Sequence, residues 1–558
     1  MKRNCNYKLI YLLFMAPWML SAQGEVYKEK HEDTYIYVSS DSMQKGISYR
    51  VTNANYFTSQ VNVDVNGDDI IGDAANEPSI AVDPTNPDRI VIGWRQFDNV
   101  ASNFRQAGYG YSNNGGLTWI FPGVLDPGVY HTDPVLDFDV NGNFYYNSLK
   151  SPYACEVYRI TDGSFTWDGP VSARGGDKQW MTTDRTNGIG AGNNYSFWDR
   201  NLSSCDSEDF TRSTDGCYSF ESCEQIDGAP KWGTMAVDAD GTLYTAGTSS
   251  AGLIVVKSTT AKDTSIPVTF NSYTVVDLDG VLKGGGSPVN PVGLMGQMWV
   301  DVDISGGAGH GNVYVLASVG RTSNSDPGDV MFAKSTDGGQ TFNTPIRINT
   351  DNSIENYQWF GTMSVAPNGR IDVVWLDTRD ASAGTNESVL YYSFSINQGG
   401  TWSVNESLSI AFDPNIGYPN QDKMGDYFDM VSDNEGVHLA WANTINGGQD
   451  IYYTHVRQTV VLDNEDFTDT MLNAVIYPNP FSKETSIRFG VKKEEHVKVE
   501  VYDLLGRKVN TLFDNTVSGK QEITWNATNY KGHKLSSGVY LISIQGEGTV
   551  TILKAVIN

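Results

Sequence analysis

The chain has 558 residues, too many for one ordinary domain, and includes 56 Gly and 30 Tyr. Asp and Glu (66) outnumber Lys and Arg (39), giving a formal net charge of -27. That balance excludes non-specific attachment to nucleic acid or to an anionic membrane through the surface as a whole, although a local pocket can carry the opposite sign.

Residues 1–22 open with "MKRNCNYK" and continue through "LIYLLFMAPWMLSA". A basic start, a short apolar core and a small-residue end predict a cleaved signal peptide. The run is shorter than the roughly 20 residues a bilayer demands, and no later segment does better, so no membrane span is expected. Cys5 leaves with the signal, so Cys155, Cys205, Cys217 and Cys223 remain. An even number in an exported chain predicts two disulfides, since these spacings lack the CxxC pair of a zinc site. Residues 23–75 read as a lead-in segment. Within it "DVNGDDIIGD" gathers Asp64, Asp68 and Asp73 around glycine, as structural calcium loops do, but without a closing Glu. No other cofactor is required by the chemistry considered below.

From residue 76 to 457 the chain repeats itself. "NEPSIAVDPTNPDRIVIGW", "KWGTMAVDADGTLYTAG" and "QWFGTMSVAPNGRIDVVW" are three of seven similar stretches. Each is an apolar or alternating run, a Gly/Asn/Asp turn and a second run, which is a β-hairpin signature. The turns fall at Asp83, Asp139, Asp184, Asp238, Asp303, Ala366 and Ser432, between 45 and 66 residues apart, which suits a four-stranded blade with loops. A second template, S-x-D/N-x-G-x-T-W/F, appears as "SNNGGLTW" (Ser112–Trp119), "STDGGQTF" (Ser335–Phe342) and "SINQGGTW" (Ser395–Trp402). It recurs with departures as "STDGCYSF" (Ser213–Phe220) and "ITDGSFTW" (Ile160–Trp167). In such a turn the Asp or Asn side chain takes backbone amides and Gly supplies a positive φ.

This template resembles the Asp-box of the sialidase-like (BNR) repeat families, which joins the outer strands of a propeller blade. The expected fold is all-β: a six- or seven-bladed β-propeller, with seven favoured by the seven hairpins, followed by a small C-terminal β-sandwich. Residues 458–474, including "LDNEDFTDTMLNA", read as an acidic linker. Beyond it, residues 475–558 carry "YPNPF", "DLLGR" and "SGVYL" in that order and closely resemble the C-terminal sorting domain of the Bacteroidetes type IX secretion system. That resemblance implies passage through the periplasm, recognition by the type IX machinery and a secreted or cell-surface destination.

In a propeller the starts of first strands and the ends of second strands share one face. The alignment therefore gathers Glu77, His131, Asp133, Lys178, Trp180, Lys231, Trp232, Trp299, Trp359, Asp426 and Tyr427 with Arg95, Asp98, Arg200, Arg321 and Arg379. Scarce cations among aromatic walls suit an anionic sugar, because guanidinium forks a carboxylate and indole stacks on the ring. The sialidase resemblance implies Arg95, Arg321 and Arg379 holding the substrate carboxylate and Tyr427 as nucleophile. Glu77 or Asp426 would activate it, and Asp98 or Asp133 would be the acid. A phenol needs such a neighbour to attack at neutral pH.

The same face also fits a polysaccharide lyase, as in ulvan- or pectin-type enzymes that act by β-elimination at a uronic acid. His131 would be the base, Arg200 or Arg379 the carboxylate neutraliser, and Tyr427 the acid. A propeller that binds glycan or protein without turnover needs only the cationic and aromatic rim. The expectation is a monomeric, secreted carbohydrate-active enzyme working on an acidic polysaccharide or glycoconjugate, with hydrolysis first, elimination second and pure binding third.

Overall fold

The computed structural model describes residues 33–457, 471–503, 506–546 and 549–558. The expected signal peptide, the start of the lead-in and most of the linker lie outside the described residues. The chain divides into two compact units, Met1–Thr459 and Val460–Asn558. Apart from one 3-10 turn at Ser40–Ser42, all described regular structure is β. Among the described residues, no helix is long and apolar enough to cross a membrane.

The first unit contains seven antiparallel sheets of three to five strands. Their innermost strands are Ala74–Val82, His131–Phe138, Trp180–Thr183, Met235–Val237, Trp299–Val302, Gln358–Val365 and Asp429–Ser432. Each touches the next, and the last touches the first, so the seven close into a ring. The inner strands are buried on both faces, so the period-2 alternation expected of a half-exposed strand is lost there.

Strands of neighbouring sheets do not form ladders with one another, and side chains carry the bonds between them instead. The amide of Leu136 donates to Ser79 Oγ (2.8 Å), Thr183 to Asp137 Oδ2 (2.6 Å) and Val300 to Thr234 Oγ1 (3.0 Å). Val365 donates to Asp301 Oδ2 (2.7 Å), Ser432 to Ser364 Oγ (3.0 Å) and Ile80 to Asp429 Oδ2 (3.1 Å). These inner-strand amides, which no ladder reaches, thereby find acceptors on the neighbouring sheet. Trp94, Trp375 and Trp441 fill the second strands and find partners in Gln96 Oε1 (2.7 Å), Asp377 Oδ2 (2.8 Å) and Thr454 Oγ1 (2.8 Å).

The lead-in is part of the ring rather than a segment before it. Tyr56–Gln60 pairs with Asp450–Arg457 and Arg50–Thr52 pairs outside it, so the N-terminal strands complete the last sheet. A sequence repeat could not reveal this, because a closing strand belongs to the other end of the chain.

Four copies of the S-x-D/N-x-G-x-T template close alike. The amide at the fifth position donates to the serine Oγ at Gly116, Cys217, Gly339 and Gly399, over 2.8–3.0 Å. The amide at the seventh donates to the Asp or Asn carbonyl or carboxylate oxygen at Thr118, Ser219, Thr341 and Thr401, over 2.8–3.0 Å. The Ile160–Trp167 copy lacks the serine, and Asp162 instead takes the Ser164 amide (3.0 Å).

Two disulfides were expected and one is present, Cys205–Cys223. Cys155 and Cys217 are free and buried. Cys217 stands where the template has glycine, at φ 63°, and burial pushes both thiols up, so they act as packing groups.

The second unit is one five-stranded sheet. Its long strand Thr485–Asp503 pairs along one edge with Lys508–Trp525. The other edge is shared by Met471–Tyr477 and Gly538–Gly546, and Thr549–Ile557 lies outside the latter. Phe481, Phe489, Val499, Trp525 and Ile542 are among its core. The first described strand of this unit, Met471–Tyr477, begins inside the expected 458–474 linker.

Gly116 sits at φ +83°, and a Cβ there would overlap the Tyr453 ring of the closing sheet. Gly116→Ala is expected to destabilise the first unit by about 2–4 kcal/mol, combining left-handed strain with overpacking. Gly115→Ala, which meets only Asp88 Oδ1, should cost less. Calorimetric melting of the two variants checks the order; equal melting temperatures would contradict it.

Candidate functional site

Five residues without a glycine's freedom repeat one backbone irregularity. Glu77, Asp133, Lys178, Trp232 and Phe360 have φ between 49° and 57°. Each stands six residues before a predicted hairpin turn, at Asp83, Asp139, Asp184, Asp238 and Ala366. The pairing register shifts at this point in the first, second and sixth sheets. A bulge re-aims the side chain it carries. Here the repeated bulge brings Glu77, Asp133 and Lys178 together at one end of the ring.

Part of the expected set meets there, tightly packed. Arg95 Nε lies 3.2 Å from Glu77 Oε2 and donates to Asn76 Oδ1 (2.7 Å). Lys178 Nζ lies 2.6 Å from Asp426 Oδ2 and 3.3 Å from Asp133 Oδ2. Lys423 Nζ reaches Asp426 Oδ2 (2.9 Å) and Glu77 Oε1 (3.5 Å). Asp426 Oδ1 also accepts the Leu294 amide (2.8 Å), and Tyr427 donates its hydroxyl to the Pro134 carbonyl (2.8 Å). Three cations and three carboxylates face one another, drawn from the first, second and third sheets and from the segment entering the seventh. Lys423 was not foreseen. Its only signal is a cation four residues before Tyr427 in an acid-rich chain.

None of these groups is open to a substrate. Tyr427 is 1% exposed, and Glu77 and Arg95 are fully buried. Burial pushes the Tyr427 hydroxyl well above its usual range, and Glu77 and Asp133 push it further the same way. That is the reverse of what an activated nucleophile needs. Burial also raises Glu77, to about 8, against the opposing pull of Arg95 and Lys178. At Asp426 burial acts upward too, but Lys178 and Lys423 overcome it and hold the carboxyl well below the carboxylate range.

The remaining expected residues lie elsewhere. Asp98 is half-buried and accepts from Gln106 Nε2 (2.9 Å). Arg200 is held by Asp209 (3.0 Å), Lys231 by Asp199 (3.1 Å), Arg321 by Asp279 and Asp329 (2.5 Å each) and Arg379 by Asp377 (2.6 Å). The shared cationic rim is therefore replaced by separate ion pairs, because every one of these cations has a nearer carboxylate. Trp180 packs edge-on against Trp299 (5.3 Å between centroids) and Tyr427 (5.5 Å), below the charges. Trp359 is buried in the sixth sheet and donates to Ser388 Oγ (3.2 Å). Trp232 is half-buried, with Lys231 Nζ 4.9 Å above its ring.

The calcium trio does not assemble. Asp64 caps its own turn through the amides of Asn66 (2.8 Å) and Asp68 (3.0 Å), Asp68 is exposed, and Asp73 is buried against Gln96 (3.0 Å). Among the described residues, the one cluster with metal-ligand spacing is Asp126, His131 and Glu156, whose ligand atoms lie within 4.8 Å of one another. His131 is buried in the second sheet, and desolvation lowers its pKa to about 4, so the ring is neutral.

The opposite end of the ring is open. A cavity of about 900 Å³ enters between the hairpin turns and is lined by all seven innermost strands. Trp180 and Trp299 border it beneath the charge cluster, with Met181, Met235, Met363 and Met430 along its wall. Its mouth carries Asp83, Asp238, Asp433 and Glu435, while Asp137, Asp301 and Asp429 line the interior; Arg185 and His438 are the cationic or titratable counterparts.

A family model, the secretion system C-terminal sorting domain, matches residues 475–558. Residues 475–558 are a type IX sorting domain. The protein is thus exported by that route to the cell surface or the extracellular space. No curated protein matches the chain. Among solved structures, the BP39L lectin from Burkholderia pseudomallei is similar at 12% identity over 67% of this chain and 98% of that one (TM-score 0.41). The endosialidase of phage phi92 is similar at 11% identity over 87% and 78% (TM-score 0.40). Trypanosoma rangeli sialidase is similar at 10% identity over 91% and 89% (TM-score 0.35).

The buried carboxyls have a measurable consequence. Burial raises Glu77 to about 8 and Asp73 and Asp429 to about 7. In the unfolded chain all three are ionised throughout that range, so between about pH 8 and 6.5 only the folded state takes up protons as pH falls, and it gains stability. Below about pH 6.5 His131 and His455, kept neutral by burial, oppose the gain because only the unfolded chain then protonates them. The melting temperature is expected to be higher at pH 6.5 than at pH 8, with a smaller difference in Glu77→Gln. A melting temperature that rises with pH across this window would contradict the assignment.

Proposed function

We propose that the exported ring is a recognition module that takes a neutral or cationic glycan into its axial cavity, and that it does not act as a sialidase-type hydrolase. In this reading the seven sheets are the blades of a seven-bladed β-propeller, and the five-stranded C-terminal sheet folds over its core as a small sandwich. The observation that carries the proposal is Tyr427. The residue in the nucleophile's position is buried, bonded to a backbone carbonyl and surrounded by charged side chains that already engage one another.

The ligand's character follows from the open end. Binding sites for small ligands are concave, largely apolar and supplied with a few polar groups, at volumes of roughly 300–1,000 Å³. The cavity meets that description, with indole edges and methionines inside and hydrogen-bonding side chains at the mouth. Its carboxylates outnumber its cations, so an anionic sugar is repelled where a neutral or amino sugar is not. This replaces the acidic glycan expected from a shared cationic rim, since the cations meant to hold it are paired elsewhere.

The test is calorimetric titration of the purified protein with neutral, amino, sialylated and uronate-containing oligosaccharides, with absorbance and reducing ends followed in parallel. Saturable binding of neutral or amino sugars, at least tenfold weaker in Val237→Trp, with no turnover, is the expected result. Release of sialic acid or formation of an unsaturated uronate, abolished in Tyr427→Phe, would overturn the reading in favour of catalysis.

A further inference from the structure

The second sheet carries a further polar group, made of Asp126, His131 and Glu156. Asp126, Pro127, Gly128 and Val129 form a tight turn in which the Val129 amide donates to the Asp126 carbonyl (3.2 Å) and Gly128 has φ +82°. Proline second and glycine third is the sequence that such a type II geometry demands. The Gly128 amide is tied to Gln106 Oε1 (2.7 Å) and the His131 amide to the Arg105 carbonyl (3.0 Å). The turn thereby folds the Asp126 carboxylate back beside His131, at the start of the innermost strand. Glu156 arrives from a different strand, Ala154–Ile160.

Four buried polar atoms meet here without a hydrogen-bond partner: both ring nitrogens of His131, Oε2 of Glu156 and the hydroxyl of Tyr158. Protein interiors satisfy such atoms almost everywhere, so a concentration of them at one point calls for a ligand. His131 Nε2 lies 3.8 Å from Glu156 Oε2, too far for a hydrogen bond. The separation is within the span of two ligands sharing one metal at about 2.0–2.2 Å each. The other oxygen of Glu156 is occupied by Lys150 Nζ (3.0 Å), which orients the carboxylate and leaves Oε2 turned to the imidazole.

We propose that Asp126, His131 and Glu156 bind one divalent first-row transition cation, which ties the Asp126 turn to the second sheet. A neutral imidazole with two carboxylates is a donor set for zinc or manganese rather than for calcium, which favours oxygen alone. Three protein ligands leave coordination positions for water or for an oxygen of an external ligand. Asp126 and Glu156 are only partly buried, so the ion can enter from solvent. The site is distinct from the "DVNGDDIIGD" loop and independent of the proposed glycan cavity, which shares none of its residues.

The full exported chain, freed of metal by chelation, is titrated with zinc, manganese and calcium, and cobalt is added as a spectroscopic probe. One equivalent of zinc or manganese is expected to bind, with visible cobalt absorption characteristic of imidazole ligation. Affinity should fall at least tenfold in His131→Ala, Asp126→Asn and Glu156→Gln and stay unchanged in Asp64→Asn. If His131→Ala does not fold, the two carboxamide variants carry the test, since they keep volume and remove only charge. No saturable binding, calcium preferred over zinc and manganese, or affinity unchanged in both carboxamide variants would overturn the proposal.

Discussion

The salt bridge between Lys178 and Asp426, 2.6 Å long, joins the entry of the third sheet to the entry of the seventh across the axis of the ring. Sheets that are not neighbours have few other means of holding one another. Tyr427 adds a second such link, from the seventh sheet to the Pro134 carbonyl of the second, and Asp426 a third, to the Leu294 amide ahead of the fifth. Removing one partner of a buried ion pair leaves an uncompensated charge, which costs about 3–5 kcal/mol. The three cations and three carboxylates therefore stand or fall together, and they close this end of the ring against water.

From that closure the asymmetry of the ring follows. At one end the bulged residues turn charged side chains inward until they meet. At the other, the strands diverge into hairpin turns and leave a cavity of about 900 Å³. The carboxyl groups of Asp137 and Asp429, both buried, and of half-buried Asp301 along that cavity have a structural task, since each accepts a backbone amide from the next sheet. A raised pKa at Asp301 or Asp429 is a consequence of desolvation at those positions and is no sign of acid catalysis. Chemistry and architecture use the same residue types, and the bonding partners separate them.

The architecture was legible in the sequence where it is local. Seven hairpin turns and four Asp-type turns need only residues a few positions apart, so their signals survive in a linear string. The meeting of Glu77, Arg95, Asp133, Lys178, Asp426 and Tyr427 was also legible, because the repeat register says which residues share a face. Their burial was not. It comes with Lys423, which lies in a segment outside the repeat and meets both Glu77 and Asp426. The pairing of Arg379 with Asp377 could be read from "WLDTRD", whereas Arg321 with Asp279 spans 42 residues and could not. Cys217 shows the same limit, since its place in the turn template was visible and its lack of a disulfide partner was not.

A thermodynamic cycle on Lys178→Met, Asp426→Asn and the double variant tests most directly whether the axial charges are a structural lock. The account predicts that each single change destabilises the first unit by about 3–5 kcal/mol and that the pair is coupled by more than about 1.5 kcal/mol, the double variant recovering part of the loss. Single changes worth less than about 0.5 kcal/mol that simply add would contradict it, because groups so weakly engaged would be free to meet a substrate.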